Sequence, residues 1–77
     1  MNITFKFDPS IGAYVISLFG KEVRNEEGAR LTVKELNNGW QVRFFSFQNV
    51  WGGSRHLTEK QAFDHAELIA YQYAPSF

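Results

Sequence analysis

The chain has 77 residues, no cysteine, and equal numbers of acidic and basic side chains, eight of each. This composition excludes disulfides and thiolate metal sites, and it lacks the basic excess that is typical of a dedicated nucleic-acid-binding protein. It predicts a single domain, residues 1–77, whose core comes from packing alone, with eight Phe, two Trp and three Tyr as its main material.

Residues 2–7 alternate between polar and apolar side chains, which predicts a half-buried strand. Residues 1–8 lack the charged-then-apolar layout of a signal peptide. No stretch of the sequence approaches the roughly 20 apolar residues that span a bilayer. We therefore expect a cytoplasmic protein with no membrane partner.

Residues 13–19 fit two structures. A helix would use Asp8 as its cap and Gly20 as its stop, whereas a strand would have Val15 and Ile16 at its centre. Two adjacent β-branched residues weaken a helix, and the preceding turn suits a hairpin. We favour the strand, and the helix stays open as the alternative.

The middle of the chain predicts a hairpin between two loops. Residues 21–30 are polar and charged, which predicts a mobile loop. Residues 31–36 and 40–48 predict two strands joined around Asn37-Asn38-Gly39, since an Asn-Gly pair tolerates positive φ. Residues 50–56 predict a second loop.

A carboxy-terminal helix is predicted after Thr58. Thr58 and Gln61 have the spacing of a capping box, Leu57 and Ala62 are placed to pack as a hydrophobic staple, and Pro75 marks the end. The apolar stripe at helical spacing comprises Ala62, Phe63, Ala66, Ile69, Ala70 and Tyr73.

Together these elements predict an α+β fold: a small antiparallel sheet of about four strands with one C-terminal helix packed on one face, in the order β-β-β-β-α. The uncovered face of such a sheet is ordinarily polar. Two strands depart from this rule. On the fourth strand, Phe45 and Phe47 lie opposite Trp40, Val42 and Phe44. On the second strand, Val15 and Phe19 lie opposite Tyr14, Ile16 and Leu18. Either loops or a helix at residues 13–19 cover this second apolar face, or it is an exposed patch that binds a partner or a second copy; we favour the patch.

Chemistry is sparse in this sequence, and we predict no catalytic residue, no metal site and no cofactor. His56 and His65 lie nine residues apart, which matches no metal-binding signature, and His65 is expected on the solvated side of the helix. The segment from Trp51 to His56 is the most suggestive one. Its two glycines free backbone N–H groups, Arg55 can bind an anion, and Trp51 can stack. The alternative is a plain connector with Trp51 at the edge of the core.

The predicted partner-binding residues are therefore Phe45, Phe47, Trp51, Arg55 and His56.

Two segments resemble parts of HicB-type antitoxins. Phe7-Asp8-Pro9 through Gly12-Ala13-Tyr14-Val15 is similar to their opening hairpin. Leu57-Thr58-Glu59 with Ala62, Ala66 and Ile69 is similar to the helix after their sheet. Together the two segments cover about a third of the chain. This resemblance implies a protein that neutralises a partner protein.

A second resemblance is to the latter half of a double-stranded-RNA-binding domain, where strands precede Gly53-Ser54 and an alanine-bearing helix. That family begins this helix with a basic run, whereas Thr58-Glu59-Lys60-Gln61 holds one lysine. In size and type the chain is also similar to small inhibitors of phages and mobile elements, including anti-CRISPR proteins.

We therefore expect a non-enzymatic interaction module that binds and blocks or regulates another macromolecule, encoded by a phage or mobile element, such as an anti-CRISPR protein. A protein partner is expected, and a homodimer is a further expectation. The alternative function is a small nucleic-acid-binding domain of the double-stranded-RNA type, which the balanced charge disfavours. An enzyme is the third and least favoured hypothesis.

Overall fold

Six strands form one antiparallel sheet in this computed structural model, which describes residues 2–47 and 52–73. The elements are β1 (Ile3–Asp8), β2 (Ala13–Leu18), β3 (Lys21–Glu22), β4 (Arg30–Leu36), β5 (Gly39–Phe45), β6 (Ser54–His56) and the helix α1 (Glu59–Tyr73). The spatial order is β1-β2-β4-β5-β6, and β3 pairs with the end of β2. The strands thus follow one another across the sheet almost as they do along the chain.

The predicted α+β class with a carboxy-terminal helix is confirmed, but the sheet has six strands where about four were predicted. Residues 13–18 form a strand, so the alternative helix there is wrong. The strand predicted over residues 40–48 ends at Phe45. Its last predicted residue, Gln48, lies outside the described residues.

The segment 21–30 is more ordered than its charged composition predicts. It contains β3, and the side chains of Val23 and Ala29 are fully buried. The N–H of Leu31 donates to the Val23 carbonyl at 2.8 Å, which ties the segment to the sheet. The prediction of a mobile loop is therefore wrong. A single valine between charged residues shows no hydrophobic periodicity, so the place of Val23 in the core could not be recognised from the sequence.

The predicted loop over residues 50–56 is also partly strand. Ser54–His56 pairs with β5, with Trp40 opposite His56 and Gln41 opposite Arg55. A Cβ on Gly53 would collide with the Val42 carbonyl oxygen, so this glycine serves the close approach of the chain to β5. Residues 48–51, which include Trp51, lie outside the described residues.

Two tight turns depend on unusual backbone angles. Phe19 and Gly20 have φ values of 54° and 78°, which gives the β2–β3 hairpin a type I′ turn. A bulky residue in this region is strained. In the β4–β5 hairpin the loop residues are Asn37 and Asn38, and Gly39 begins β5 with φ 150°. A side chain there would lie 2.6 Å from the His56 carbonyl oxygen.

The helix packs on the sheet through a ridge of alanines. Ala62, Ala66 and Ala70 are four residues apart and fully buried. Because their side chains are small, the helix backbone lies close to the central strands. The buried sheet residues that face this ridge are Ile16, Leu18, Leu31, Val33 and Val42.

Phe63 joins the helix to three strands. Its ring centre lies 4.7 Å from that of Phe5, 5.4 Å from that of Tyr14 and 5.8 Å from that of Trp40, all in edge-to-face geometry. Such ring pairs add about 0.5–1.5 kcal/mol each beyond the area that they bury. This one side chain therefore holds β1, β2 and β5 to α1.

The helix begins with the predicted cap. The Thr58 hydroxyl accepts the N–H of Gln61 at 3.2 Å, and Gln61 Oε1 accepts the N–H of Leu57 at 3.1 Å. The side-chain bond thus reaches one residue further back than in the usual capping box. The predicted hydrophobic staple is wrong, because Leu57 is 82% exposed.

Replacing the cap residue tests how much this end contributes. Thr58→Ala should lower the free energy of unfolding by about 0.5–2 kcal/mol, because the Gln61 N–H loses its acceptor. Thr58→Ser keeps a hydroxyl and should retain most of the stability. Urea denaturation measures both, and equal stability of the Ala and Ser variants would show that the cap contributes nothing.

The role of Phe63 gives a larger expected effect. Phe63→Ala should cost about 3–5 kcal/mol, since it leaves a cavity and removes three ring contacts. Leu68, which is 64% exposed on the same helix, provides the control: Leu68→Ala should change stability by less than about 0.5 kcal/mol. A Phe63→Ala loss no larger than that of the control would contradict this account of the core.

Candidate functional site

The face of the sheet opposite α1, called the open face below, is identified by alternation along β5. The Phe44 ring lies 5.0 Å from that of Tyr73 on the helix, so the next residue, Phe45, points to the opposite side. The register then places Lys34 beside Gln41, and Gln41 beside Arg55, on this open face.

Three cationic side chains, Lys34, Arg43 and Arg55, lie on the β4–β6 half of the open face. None of them forms an ion pair within residues 2–47 and 52–73. The two acids that the register places on this face, Asp8 and Glu22, both contact Arg30, at 3.5 Å and 3.6 Å. The open face therefore has a basic half, whose cations have no described ion-pair partner, and a compensated half, in which Arg30 contacts Asp8 and Glu22.

An aromatic pair continues the basic half. The ring centres of Phe45 and Phe47 are 5.5 Å apart, and the Arg43 guanidinium carbon lies 5.1 Å from the Phe45 ring centre. Phe45 is half-buried, whereas Phe47 is 79% exposed. A cation over a ring is attracted to its face, so Arg43 and Phe45 support each other's position.

We call these five residues, Lys34, Arg43, Phe45, Phe47 and Arg55, the cationic–aromatic strip. Along β5 the distance from Gln41 to Phe45 is about 13 Å, at roughly 3.3 Å per residue. Phe45 and Phe47 offer apolar contact at one end of the strip, and Lys34 and Arg55 offer hydrogen-bond donors for anionic groups at the other. Both are features of surfaces that bind other macromolecules.

The apolar patch is smaller than the sequence predicts. Val15 and Ala13 also point to the open face, but they are only 6% and 4% exposed. Val15 lies in a shallow cleft with Lys6 and Arg30. The stems of such long side chains can cover apolar surface while their charged ends stay in water. The exposed apolar surface of this face is thereby reduced to the end that holds Phe45 and Phe47.

His56 lies on the other side of the sheet from Arg55, because the two are neighbours in a strand. Its ring centre is 4.9 Å from that of His65 on α1, and its Nε2 lies 2.8 Å from the Ser54 hydroxyl. The prediction of a solvated His65 is wrong, since the ring is half-buried against β6. Because residues 54–56 form the edge strand β6, His56 faces the side of the sheet that α1 covers and so contacts His65.

The Ser54–His56 pair resembles half of a nucleophile–base arrangement. In hydrolytic triads a third group orients the histidine through its other nitrogen. In the described residues no carboxylate hydrogen-bonds to His56. The same part of the chain holds no group of three or more potential metal ligands, so His56 and His65 stand as a pair.

The compensated half of the open face is organised around Asp8. Its carboxylate accepts the Ser10 hydroxyl at 2.7 Å and the Ser10 N–H at 3.0 Å. These hydrogen bonds, together with the Arg30 guanidinium, hold the pKa of Asp8 below its ordinary value, against a smaller opposing effect of desolvation. The β1–β2 turn is therefore fixed in part by a charge.

The structure separates the five predicted site residues. It brings Phe45, Phe47 and Arg55 to the open face and places His56 on the opposite one, so Arg55 and His56 do not contact the same group. Trp51 lies outside the described residues. Sequence reasoning missed Arg43 and Lys34, although the alternation that identifies Phe45 also assigns Arg43 to its side.

Comparisons with protein-family models, with curated proteins and with solved structures return no match for this chain. The resemblances to HicB-type antitoxins, double-stranded-RNA-binding domains and small inhibitors therefore stay predictions. Among the described residues, no helix is long and apolar enough to cross a membrane.

The charge on Asp8 predicts a pH dependence of stability. Since its folded pKa lies below the unfolded one, the carboxylate stabilises the fold at neutral pH, and this contribution is lost as the pH falls through the folded pKa. Asp8→Asn removes the charge and keeps an acceptor for Ser10. The variant should be less stable than wild type at pH 7, and the difference should shrink as the pH falls from 7 to below the ordinary Asp pKa of 3.8. A constant difference across urea melts in that range would contradict the prediction.

Proposed function

We propose that this chain is a non-enzymatic interaction module that binds another macromolecule through the cationic–aromatic strip. The observation that carries the proposal is the exposed Phe47, in contact with the half-buried Phe45 and next to cations that form no ion pair with any described residue. An exposed ring favours burial in a partner, and an unpaired guanidinium favours an anionic group. Both preferences are met by one partner surface that is acidic and partly apolar.

The distribution of charge supports a protein partner with an acidic surface. The chain is neutral overall, but Glu59, Asp64 and Glu67 lie on the helix while the cations of the strip lie on the opposite side. Lys60 on the helix is paired with Asp64 at 2.7 Å. Such a polarised molecule is steered with its open face towards acidic surfaces, which raises association rates.

The proposed action is to cover a surface that the partner needs, and so to block or regulate it in the cytoplasm. A compact domain that exposes one strip and carries Glu59, Asp64 and Glu67 on the opposite side suits this role, because it binds in one orientation. An inhibitor encoded by a phage or mobile element, such as an anti-CRISPR protein, is the class that we propose.

A capture experiment with matched variants tests the proposal. Immobilised wild type, Phe47→Ser and Leu68→Ser should be exposed to extract of the source cell. Phe47 and Leu68 are both largely exposed, but only Phe47 belongs to the strip. Phe47→Ser should lose the captured protein and Leu68→Ser should retain it. Equal capture by both variants would remove the strip from the binding surface.

Affinity measurements on the captured partner then test the cations. Arg55→Ala should weaken binding by about 10- to 150-fold, the loss of a charge-assisted hydrogen bond of about 1.5–3 kcal/mol. Lys60→Ala, which removes a cation on the helix, should bind as wild type does. Calorimetry measures both affinities, and melting temperatures show whether Arg55→Ala leaves the fold intact. Full affinity in Arg55→Ala would contradict the proposed anionic contact.

Nucleic-acid binding is the second candidate function. Cations beside exposed rings also suit a sugar–phosphate backbone with stacked bases, and the order β4-β5-β6-α1 has the strands and helix of the double-stranded-RNA-binding resemblance. Against it, Lys60 at the start of α1 is paired with Asp64. Anisotropy with labelled single- and double-stranded oligonucleotides decides: affinity that falls steeply with salt and is lost in Arg43→Ala would favour this candidate.

A further inference from the structure

β1 is an open edge of the sheet. Its six residues pair with β2 on one side, and the strand order places no described strand on the other. The pairing runs without interruption from Ile3 to Asp8, and the strand contains no proline. A regular edge of this length presents a row of unpaired backbone groups that can accept another strand. At the opposite edge, β6 has only three residues.

The outward-pointing groups of β1 can be identified. The Asn2 carbonyl accepts the N–H of Phe19, so the backbone groups of Asn2 point towards β2. Since direction alternates along an antiparallel strand, the N–H and C=O groups of Ile3, Phe5 and Phe7 point away from the sheet. Three donors and three acceptors are thus available at this edge.

We propose that β1 pairs antiparallel with β1 of a second copy of this chain, with Phe5 opposite Phe5. In this register Ile3 lies opposite Phe7 of the second copy, and all six outward groups form hydrogen bonds. On the open face, Thr4 lies opposite Lys6 of the second copy. A twofold axis perpendicular to the sheet relates the copies, so both helices lie on one side of a continuous sheet.

Other symmetric registers are less favourable. Centring the pair on Lys6 places the two lysines opposite each other, and like charges at that distance are destabilising. Centring it on Thr4 leaves Phe7 without a partner in β1. The Phe5 register places apolar residues opposite apolar ones and polar residues opposite polar ones.

Self-pairing also covers surface that the monomer leaves exposed. Phe7 is 50% exposed, and its ring contacts only Tyr14, 5.2 Å away, among the ring contacts of the described residues. Opposite it, Ile3 of the second copy would supply an apolar side chain on the same side of the sheet. A second copy therefore satisfies both the backbone and the side chains of this edge. The cationic–aromatic strip lies on β4, β5 and β6, so it stays open in each copy.

Charge changes at Thr4 test the register. Thr4 is exposed, and its substitution leaves the outward backbone groups unchanged. Thr4→Lys places a cation opposite Lys6 at two symmetric positions and should raise the dimer dissociation constant by about 2- to 30-fold, whereas Thr4→Glu should lower it by a similar factor. Sedimentation equilibrium from about 10 µM to about 1 mM measures the dissociation constants. Opposite effects of the two variants support the proposal, and equal dissociation constants overturn it.

Cross-linking gives a second readout, since the chain has no cysteine. Directly opposite residues of a non-hydrogen-bonded pair have Cα atoms about 4.5 Å apart, within the range of a disulfide. The double variant Thr4→Cys/Lys6→Cys should form a covalent dimer under mild oxidation. Each single variant would place its cysteines about 7–8 Å apart and should cross-link slowly.

Three further outcomes overturn the inference. A monomer throughout the concentration range shows that no such dimer forms. Equal cross-linking of the double and single variants shows random collision, and faster cross-linking of Lys6→Cys alone shows the register centred on Lys6. Because Thr4 and Lys6 lie outside the strip, loss of the dimer with retained capture of the partner would leave the proposed function standing.

Discussion

The contact of α1 with the sheet, through three alanines and Phe63, determines where every other surface of this protein lies. The alanines bring the helix close to the central strands, and Phe63 fills the space above β1, β2 and β5. One helix can cover only one face of a sheet of this width. On the opposite face Val15 is nevertheless nearly buried, in a cleft that Lys6 and Arg30 also line.

This one-sided arrangement also sorts the charges of the chain. The neutral composition conceals this separation. The acids lie mainly on the helix and in the segment before β4, whereas the open face holds cations that form no ion pair with any described residue. On that face Arg30 neutralises Asp8 and Glu22 at one end only. The cationic–aromatic strip is therefore a consequence of which half of the sheet retains its acids, and net charge alone is a poor guide to it.

Elements with several repeats of one period could be predicted from the sequence. The alternation of β1 and the alanine spacing of α1 each extend over enough residues to be recognised, and so do the strands around Asn37-Asn38-Gly39. β3 and β6 could not be predicted, because two or three residues carry no period and their order comes from pairing with strands already formed. The error at β6 carried over to the site: in a loop Arg55 and His56 would share a surface, but in a strand they face opposite sides. Phe45 was placed correctly because it lies within a long alternation.

The order of the strands has a consequence for how the chain folds. Since most neighbours in the sheet are also neighbours in sequence, the pairings close short loops, and hairpins of this kind form in about 1–10 µs. The sheet can grow by adding one strand at a time to a template, and the helix, which follows last in the chain, docks on a surface already assembled. The strand pairings are mostly local contacts, whereas the contacts of Phe63 with Phe5 and Tyr14 join residues far apart in the chain and are the slower ones to form. The hairpins can therefore form before the helix docks, and the docking of α1 is the step that brings distant parts of the chain together.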